Sequence, residues 1–269
     1  MTTFVTFALY GPLAAMGEIA VGENRPGWPR PGRSGVLGLL AAALGIRRHQ
    51  GAALAVLDGA WAMAVRDDAP GRPLTDYHTI QAPSTRRGRA FATRRDELAL
   101  PRHELNTLVS RRDYRADALF TVALWPRPDG TGSADPEALA EALRRPVFAP
   151  YFGRRGCPFA LPLDPQVIAA DSLAEALAGR APKAPEATLR AALGADGRTV
   201  AADVGAPGLS GVERRETRRD VPLNRDRWQF AERDVLIATL PPTTPPPTTP
   251  PPTTPPPAAP PPTTEEATP

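Results

Sequence analysis

The feature that most restricts the fold of this chain is an apolar run, Ala118-Leu-Phe-Thr-Val-Ala-Leu-Trp125, interrupted by Thr121 alone. A strand that is apolar on both of its faces, rather than at alternate positions, leaves no face for water and is read as buried on both sides of its sheet. A second strand is expected at Phe4–Tyr10, where Val5, Phe7 and Leu9 alternate onto one face and Gly11-Pro12 stops the run. Between these strands, Val36, Leu39, Leu40, Ala43 and Leu44 recur at helical spacing, with Ser34 as the expected N-cap and Gly45 closing the helix. Strands are also expected at Trp61–Arg66 and Asp76–Ile80, and Gln81 to Arg102 shows no period. Asp135-Pro136-Glu137 opens a second helix that Pro146 ends.

The order β, α, β, then β, α, β predicts an α+β fold. Its expected form is a ferredoxin-like (RRM-like) sandwich with two helices on one face of an antiparallel sheet and an insertion between its halves. Farther on, Ser172 and Glu175 suggest a capping box for a helix over Asp171–Gly179, residues 182–211 look featureless, and Asp234–Leu240 reads as a closing strand. From Pro241 to Pro269 the chain is little more than Pro-Pro-Pro-Thr-Thr repeats, expected to form a disordered, extended tail.

That tail carries two of the 29 acids and no base, so the body sets 32 basic residues against 27 acidic ones. A basic body suits a polyanionic partner. Lys183 is the only lysine, however, and an arginine-, alanine- and proline-rich composition also follows from GC-rich codons, so where the arginines cluster says more than how many there are. The one cysteine, Cys157, excludes an internal disulfide and a multi-cysteine zinc site. The apolar stretch Gly35–Ile46 is too short to span a bilayer, and the N-terminus lacks a signal-peptide pattern, so a cytoplasmic protein without membrane contact is expected. There is no phosphate-binding P-loop, no dinucleotide glycine fingerprint and no His-Glu-x-x-His, and no metal or other cofactor is indicated.

Arginine beside glycine or an aromatic residue recurs in four places. Arg25, Arg30, Arg33 and Ser34 lie in a Gly/Pro loop that enters a helix N-terminus, a geometry that suits phosphate; an ordinary capped helix behind a solvated loop has the same pattern. Tyr77 and His78 precede a basic insertion with Arg86, Arg87, Arg89, Arg94 and Arg95, either a nucleic-acid arm or a solvated loop. Arg111, Arg112 and Tyr114 offer a stacking ring among phosphate-binding cations, or the charged base of a hairpin. Arg154 and Arg155 sit in the glycine-flanked turn Tyr151-Phe-Gly-Arg-Arg-Gly-Cys-Pro158, where a backbone can approach phosphate closely.

In this order the segments resemble the CasD family of type I-E CRISPR Cascade complexes. The matching segments are Gly11-Pro12-Leu13 with Gly17, Pro29–Leu40 with Leu44-Gly45-Ile46, Asp76–Thr79, Arg112–Ala118, Phe120–Leu124 and Pro150–Pro158, across roughly residues 3–165. A weaker echo runs from Arg219-Asp220 to Arg233-Asp234-Val235. The resemblance implies a palm over residues 1–165 with a β-hairpin thumb inserted at about 79–110, a C-terminal extension over 166–240 completing the fold, and the tail over 241–269. It also implies a non-catalytic subunit that binds the 5′ handle of crRNA and caps the backbone of the complex. Its partners would be the backbone subunit, the large PAM-recognising subunit and, through the complex, target DNA. Ala14, Ala15 and Met16 stand where the family carries Gln and Trp, which puts a partner contact or local packing in doubt. The alternative is a metal-independent endoribonuclease acting on repeat RNA, with Tyr77 and His78 beside the arginines.

Overall fold

A computed structural model describes residues 1–20, 22–84, 90–130, 132–225 and 227–241. The expected tail after Pro241 and Arg86, Arg87 and Arg89 lie outside the described residues.

The apolar run belongs to a much longer strand. In chain order the elements are β1 (Thr2–Ala14), β2 (Asn24–Arg25), α1 (Arg33–Ala43), α2 (Gly51–Ala60), β3 (Trp61–Ala69), β4 (Arg72–Pro83), α3 (Arg94–Leu98) and β5 (Leu105–Pro126). They continue with α4 (Pro136–Arg144), β6 (Gln166–Ala170), α5 (Leu173–Ala178), α6 (Ala184–Leu193), β7 (Thr199–Asp203), β8 (Val212–Asn224) and β9 (Gln229–Thr239). Among the described residues the strands form one sheet ordered β6-β1-β5-β3-β7-β9-β8, with β2 and β4 pairing only to β5.

The inner half of β5 is central, between β1 (Phe7↔Val122) and β3 (Val65↔Val122). Side chains alternate across a strand, so β5 feeds two cores. Phe120, Val122 and Leu124 meet Val5, Phe7 and Leu9 of β1, Leu37 and Leu40 of α1, and Leu139 and Leu143 of α4. Ala123 and Trp125 face the other way, onto Phe4, Val200 and the α5 residues Leu173 and Leu177. The expected burial on both faces is therefore present, and α1 and α4 share one face as expected, while α5 and the end of α6, through Leu193, cover the second face.

Four other local expectations are corrected. Gly11-Pro12 does not stop β1: the ladder with β5 resumes at Leu13↔Ala116, stepping over Pro12 and over Asp117, whose φ is 55°. There β1 has a strand on one side only, because β6 pairs with Thr2 to Thr6, and proline is tolerated at an edge. Ser34 is not the N-cap. Gly32 is, with no side-chain cap bond of its own, and the free Arg33 N–H donates instead to Asp220 Oδ2 on β8 at 2.7 Å. Gly45, at φ 74°, does close α1, with Ile46 N–H donating to Ala41 O at 2.8 Å and Gly45 N–H to Ala42 O at 3.3 Å. Ser172 caps α5, but Glu175 Oε2 accepts from the Asp171 N–H rather than from Ser172. Residues 182–211 are not featureless, since they hold α6 and β7.

Candidate nucleic-acid interface

The outer half of β5 pairs with β4 from Arg72↔Ala116 out to Pro83↔Leu105, a long hairpin beyond the core. On the other side of β5, β2 adds a short parallel strand, Asn24↔Arg111 and Arg25↔Arg112. Two rows therefore cross the hairpin base, one of Tyr77, Arg111 and Asn24, the next of Asp76, Arg112 and Arg25. Residues opposite one another share a face and neighbouring rows face oppositely, so Tyr77 lies beside Arg111.

The loop carrying Arg25 is held down by its glycine and tryptophan. A Cβ on Gly27 would sit 3.3 Å from Asp113 Cβ, and the Trp28 N–H donates to Met16 O at 2.6 Å. The buried guanidinium of Arg218 lies 3.5 Å from the Trp28 ring centroid. Arg25 remains exposed, with Nη1 donating to its neighbour Asn24 O at 3.1 Å.

The other predicted residues divide in two groups. Arg111 and Arg155 are exposed and have no side-chain partner among the described residues. Tyr77 is 63% exposed. His78 is half-buried, its Nδ1 against Asp76 Oδ2. Arg112 is half-buried and donates from Nε to Ser110 Oγ at 3.2 Å. Tyr114 packs against the main core, and Arg154 lies 4.5 Å over its ring while Nη1 donates to Asp113 O at 3.3 Å. One face of Tyr114 is thus covered by Arg154, which fixes the turn to the hairpin base instead of leaving a free stacking ring. That turn approaches β1 so closely that a Cβ on Gly153, at φ 86°, would overlap the Ala15 carbonyl oxygen.

Arg30 and Arg33 are corrected, since neither reaches the surface. Arg30 is buried and forks onto Asp67, Nη2 to Oδ2 at 2.7 Å and Nε to Oδ1 at 3.1 Å. Arg33 is 1% exposed. Its Nε donates to Asp58 Oδ1 at 2.6 Å, Nη1 to Asp203 Oδ2 at 2.9 Å, and Nη2 to the carbonyls of Asp58 and Trp61 at 2.7 and 2.8 Å. A guanidinium whose donors are spent on buried acceptors has nothing to offer a phosphate. Ser34 is half-buried in the first turn of α1, where its carbonyl accepts from Arg225 Nη2 at 3.3 Å.

The acids that hold these arginines were missed from the sequence. Asp203 and Asp220 each also bind Arg233, which links α1, β7, β8 and β9. Burial works to raise the Asp220 carboxyl, but hydrogen bonds and charge from Arg233 and the Arg33 N–H carry it below its ordinary 3.8. The Arg219-Asp220 and Arg233-Asp234 pairs were visible as a sequence echo, without any sign of which acids would turn inward.

A mixed α/β protein with one large antiparallel sheet and a basic hairpin standing out of it is the class defined by this fold. The model of the family CRISPR-associated protein (Cas_Cas5) matches residues 4–236, and the chain belongs to that family. It is 36% identical over 171 residues to the CRISPR system Cascade subunit CasD of Escherichia coli (strain K12), covering 61% of this chain and 70% of that protein. A chain of a solved CRISPR RNA-guided surveillance complex is similar with a TM-score of 0.59 and 27% identity, over 88% of this chain and 90% of that one. A crystal structure of a Cas protein is similar with a TM-score of 0.56 and 26% identity, over 90% of this chain and the whole of the other. No helix among the described residues is long and apolar enough to cross a membrane, and no group of His, Cys, Asp and Glu among them is placed to hold a metal ion.

Proposed function

We propose that this chain is a non-catalytic subunit of a type I-E CRISPR Cascade complex and binds the 5′ handle of crRNA through the base of the β4–β5 hairpin. The order β6-β1-β5-β3, with α1 and α4 on one face, supports a ferredoxin-like palm, and the projecting hairpin supports a thumb. Residues 1–165 would carry palm and thumb, and 166–240 would complete the sheet. The backbone subunit, the large PAM-recognising subunit and, through the complex, target DNA are its further partners.

The observation that carries this reading is the contrast among the arginines. Buried Arg30 and Arg33 are paired with acids, whereas Arg111 and Arg155, with Tyr77 beside Arg111, are exposed and have no side-chain partner among the described residues. Cations left without acids suit phosphates, and an exposed ring suits an unstacked base.

The test uses the full chain and an RNA bearing the repeat-derived handle. Arg111→Ala and Arg155→Ala are each expected to weaken binding and to lower the salt slope by about 0.7, the release from one single-strand phosphate. An unchanged slope in both variants overturns the assignment. One contact favours a second reading: Asp76 lies against His78, setting a carboxylate beside the imidazole of a candidate general base. Specific cleavage of unprocessed repeat RNA in EDTA, abolished by His78→Ala, would replace the non-catalytic reading with an endoribonuclease.

A further inference from the structure

The β8–β9 hairpin ends on a basic, aromatic cluster built from residues other than those of the β4–β5 hairpin. Trp228 is 63% exposed and has φ 50°, a conformation that a bulky residue adopts only when its surroundings hold it there. The loop after α1 supplies the hold. Arg48 lies 4.3 Å from the Trp228 ring centroid and donates from Nη2 to Arg225 O at 2.6 Å. Arg225 in turn donates to Ser34 O, and Phe230 lies 6.2 Å from Trp228, ring centre to ring centre.

Among the described residues the charge of this tip is mostly positive. Arg48 grips the Arg225 backbone carbonyl, and burial followed by the charge of Arg48 pushes the Arg225 guanidinium below its ordinary value. Arg47 and Arg227, both exposed, flank them with no side-chain partner among the described residues. Asp58 reaches Arg225 only through its charge, and the acid within the turn, Asp226, lies outside the described residues. A protein partner also favours Trp and Arg, but four clustered arginines call for a polyanion. An indole that stays 63% exposed with a guanidinium backing its ring can take a planar ligand.

We propose that the tip of the β8–β9 hairpin is a second nucleic-acid contact, which stacks one unpaired base on Trp228 and holds adjoining phosphates between Arg47 and Arg227. The contact takes single strands, because a base inside a duplex offers no free face. This inference rests on the chain working as a nucleic-acid-binding subunit, but on different residues from the β4–β5 hairpin.

The test measures full-length protein against a short fluorescent oligouridylate and against a duplex of equal length, with thermal melts to confirm folding. Trp228→Ala is expected to raise the single-strand Kd about tenfold, the loss of one stacked base, while Trp228→Phe keeps most of the affinity. Arg47→Ala with Arg227→Ala is expected to lower the salt slope by about 1.4, two single-strand phosphates. Wild-type affinity in Trp228→Ala, an equal loss in Trp228→Phe, or tighter binding of the duplex overturns the proposal. If these variants bind normally while Arg111→Ala and Arg155→Ala weaken handle binding, only the tip is refuted. If the tip variants weaken binding and the other two do not, the hairpin-base assignment fails and the tip stands.

Discussion

Replacing Arg33 with alanine separates a structural arginine from an RNA-binding one. The side chain bridges α1 to Asp58 and to Asp203, and caps the carbonyls of Asp58 and Trp61. Removing one partner of a buried ion pair costs about 3–5 kcal/mol because the remaining charge stays in a poor solvent. Here the lower end applies. Asp203 keeps Arg233 and the Met63 N–H at 3.0 Å, Trp61 O keeps Arg127 Nε at 3.0 Å, and the Asp58 side chain is 23% exposed and regains some water. For a folded body of this size each kcal/mol moves Tm by about 2–4 °C, so a loss of about 3 kcal/mol lowers Tm by roughly 6–12 °C. The assay is a thermal melt paired with handle-RNA titration well below the melting range. Arg33→Ala should melt early and bind RNA normally, and Arg155→Ala the reverse. A full Tm with weakened RNA binding in Arg33→Ala would refute the structural role and return Arg33 to the phosphate.

Two further perturbations test how the turn and the ion network are built. Gly153→Ala should lower Tm and weaken RNA binding together, because the new methyl overlaps Ala15 O and displaces Arg154 and Arg155; Gly156→Ala, with nothing within 4 Å, is the matched control. Equal melts for the two would remove the close approach as a constraint. Because the folded state holds Asp220 below its ordinary 3.8, that carboxylate stabilises the fold above the unfolded value and loses the contribution as pH falls through the folded one. Denaturant stability should therefore fall below about pH 4, less steeply in Asp220→Asn; identical slopes would count against the linkage.

Local patterns in the sequence identified β1, α1, the core of β5 and α4, because each carries its own period or cap within a dozen residues. They missed β7, whose Thr199-Val-Ala-Ala-Asp203 is too short to show a period, and misplaced the N-cap of α1, where Gly32 leaves the Arg33 N–H to Asp220, 187 residues farther on. The arginines show the same limit. Arg30 and Arg33 sit in a loop that reads like a phosphate cradle, but their partners Asp67 and Asp203 lie 37 and 170 residues away. Arg111 and Arg155 are exposed, on the outer half of β5 and in a glycine-flanked turn, where no distant acid takes them inward among the described residues. Trp228 escaped notice because its significance depends on Arg48, which reaches it across the fold.

β5 spans 22 residues, from the outermost described pair of the hairpin to the centre of the core. It acts as a ruler anchored at one end. Extending β4 and β5 by two residues each would move the tip outward by about 7 Å while every side chain kept its face, whereas an extension by one would turn Tyr77 and Arg111 to the opposite side. Reach beyond the core can therefore be altered in paired steps without touching Phe120, Val122 or Leu124, so lineages that differ in how far their hairpin extends can share one unchanged interior.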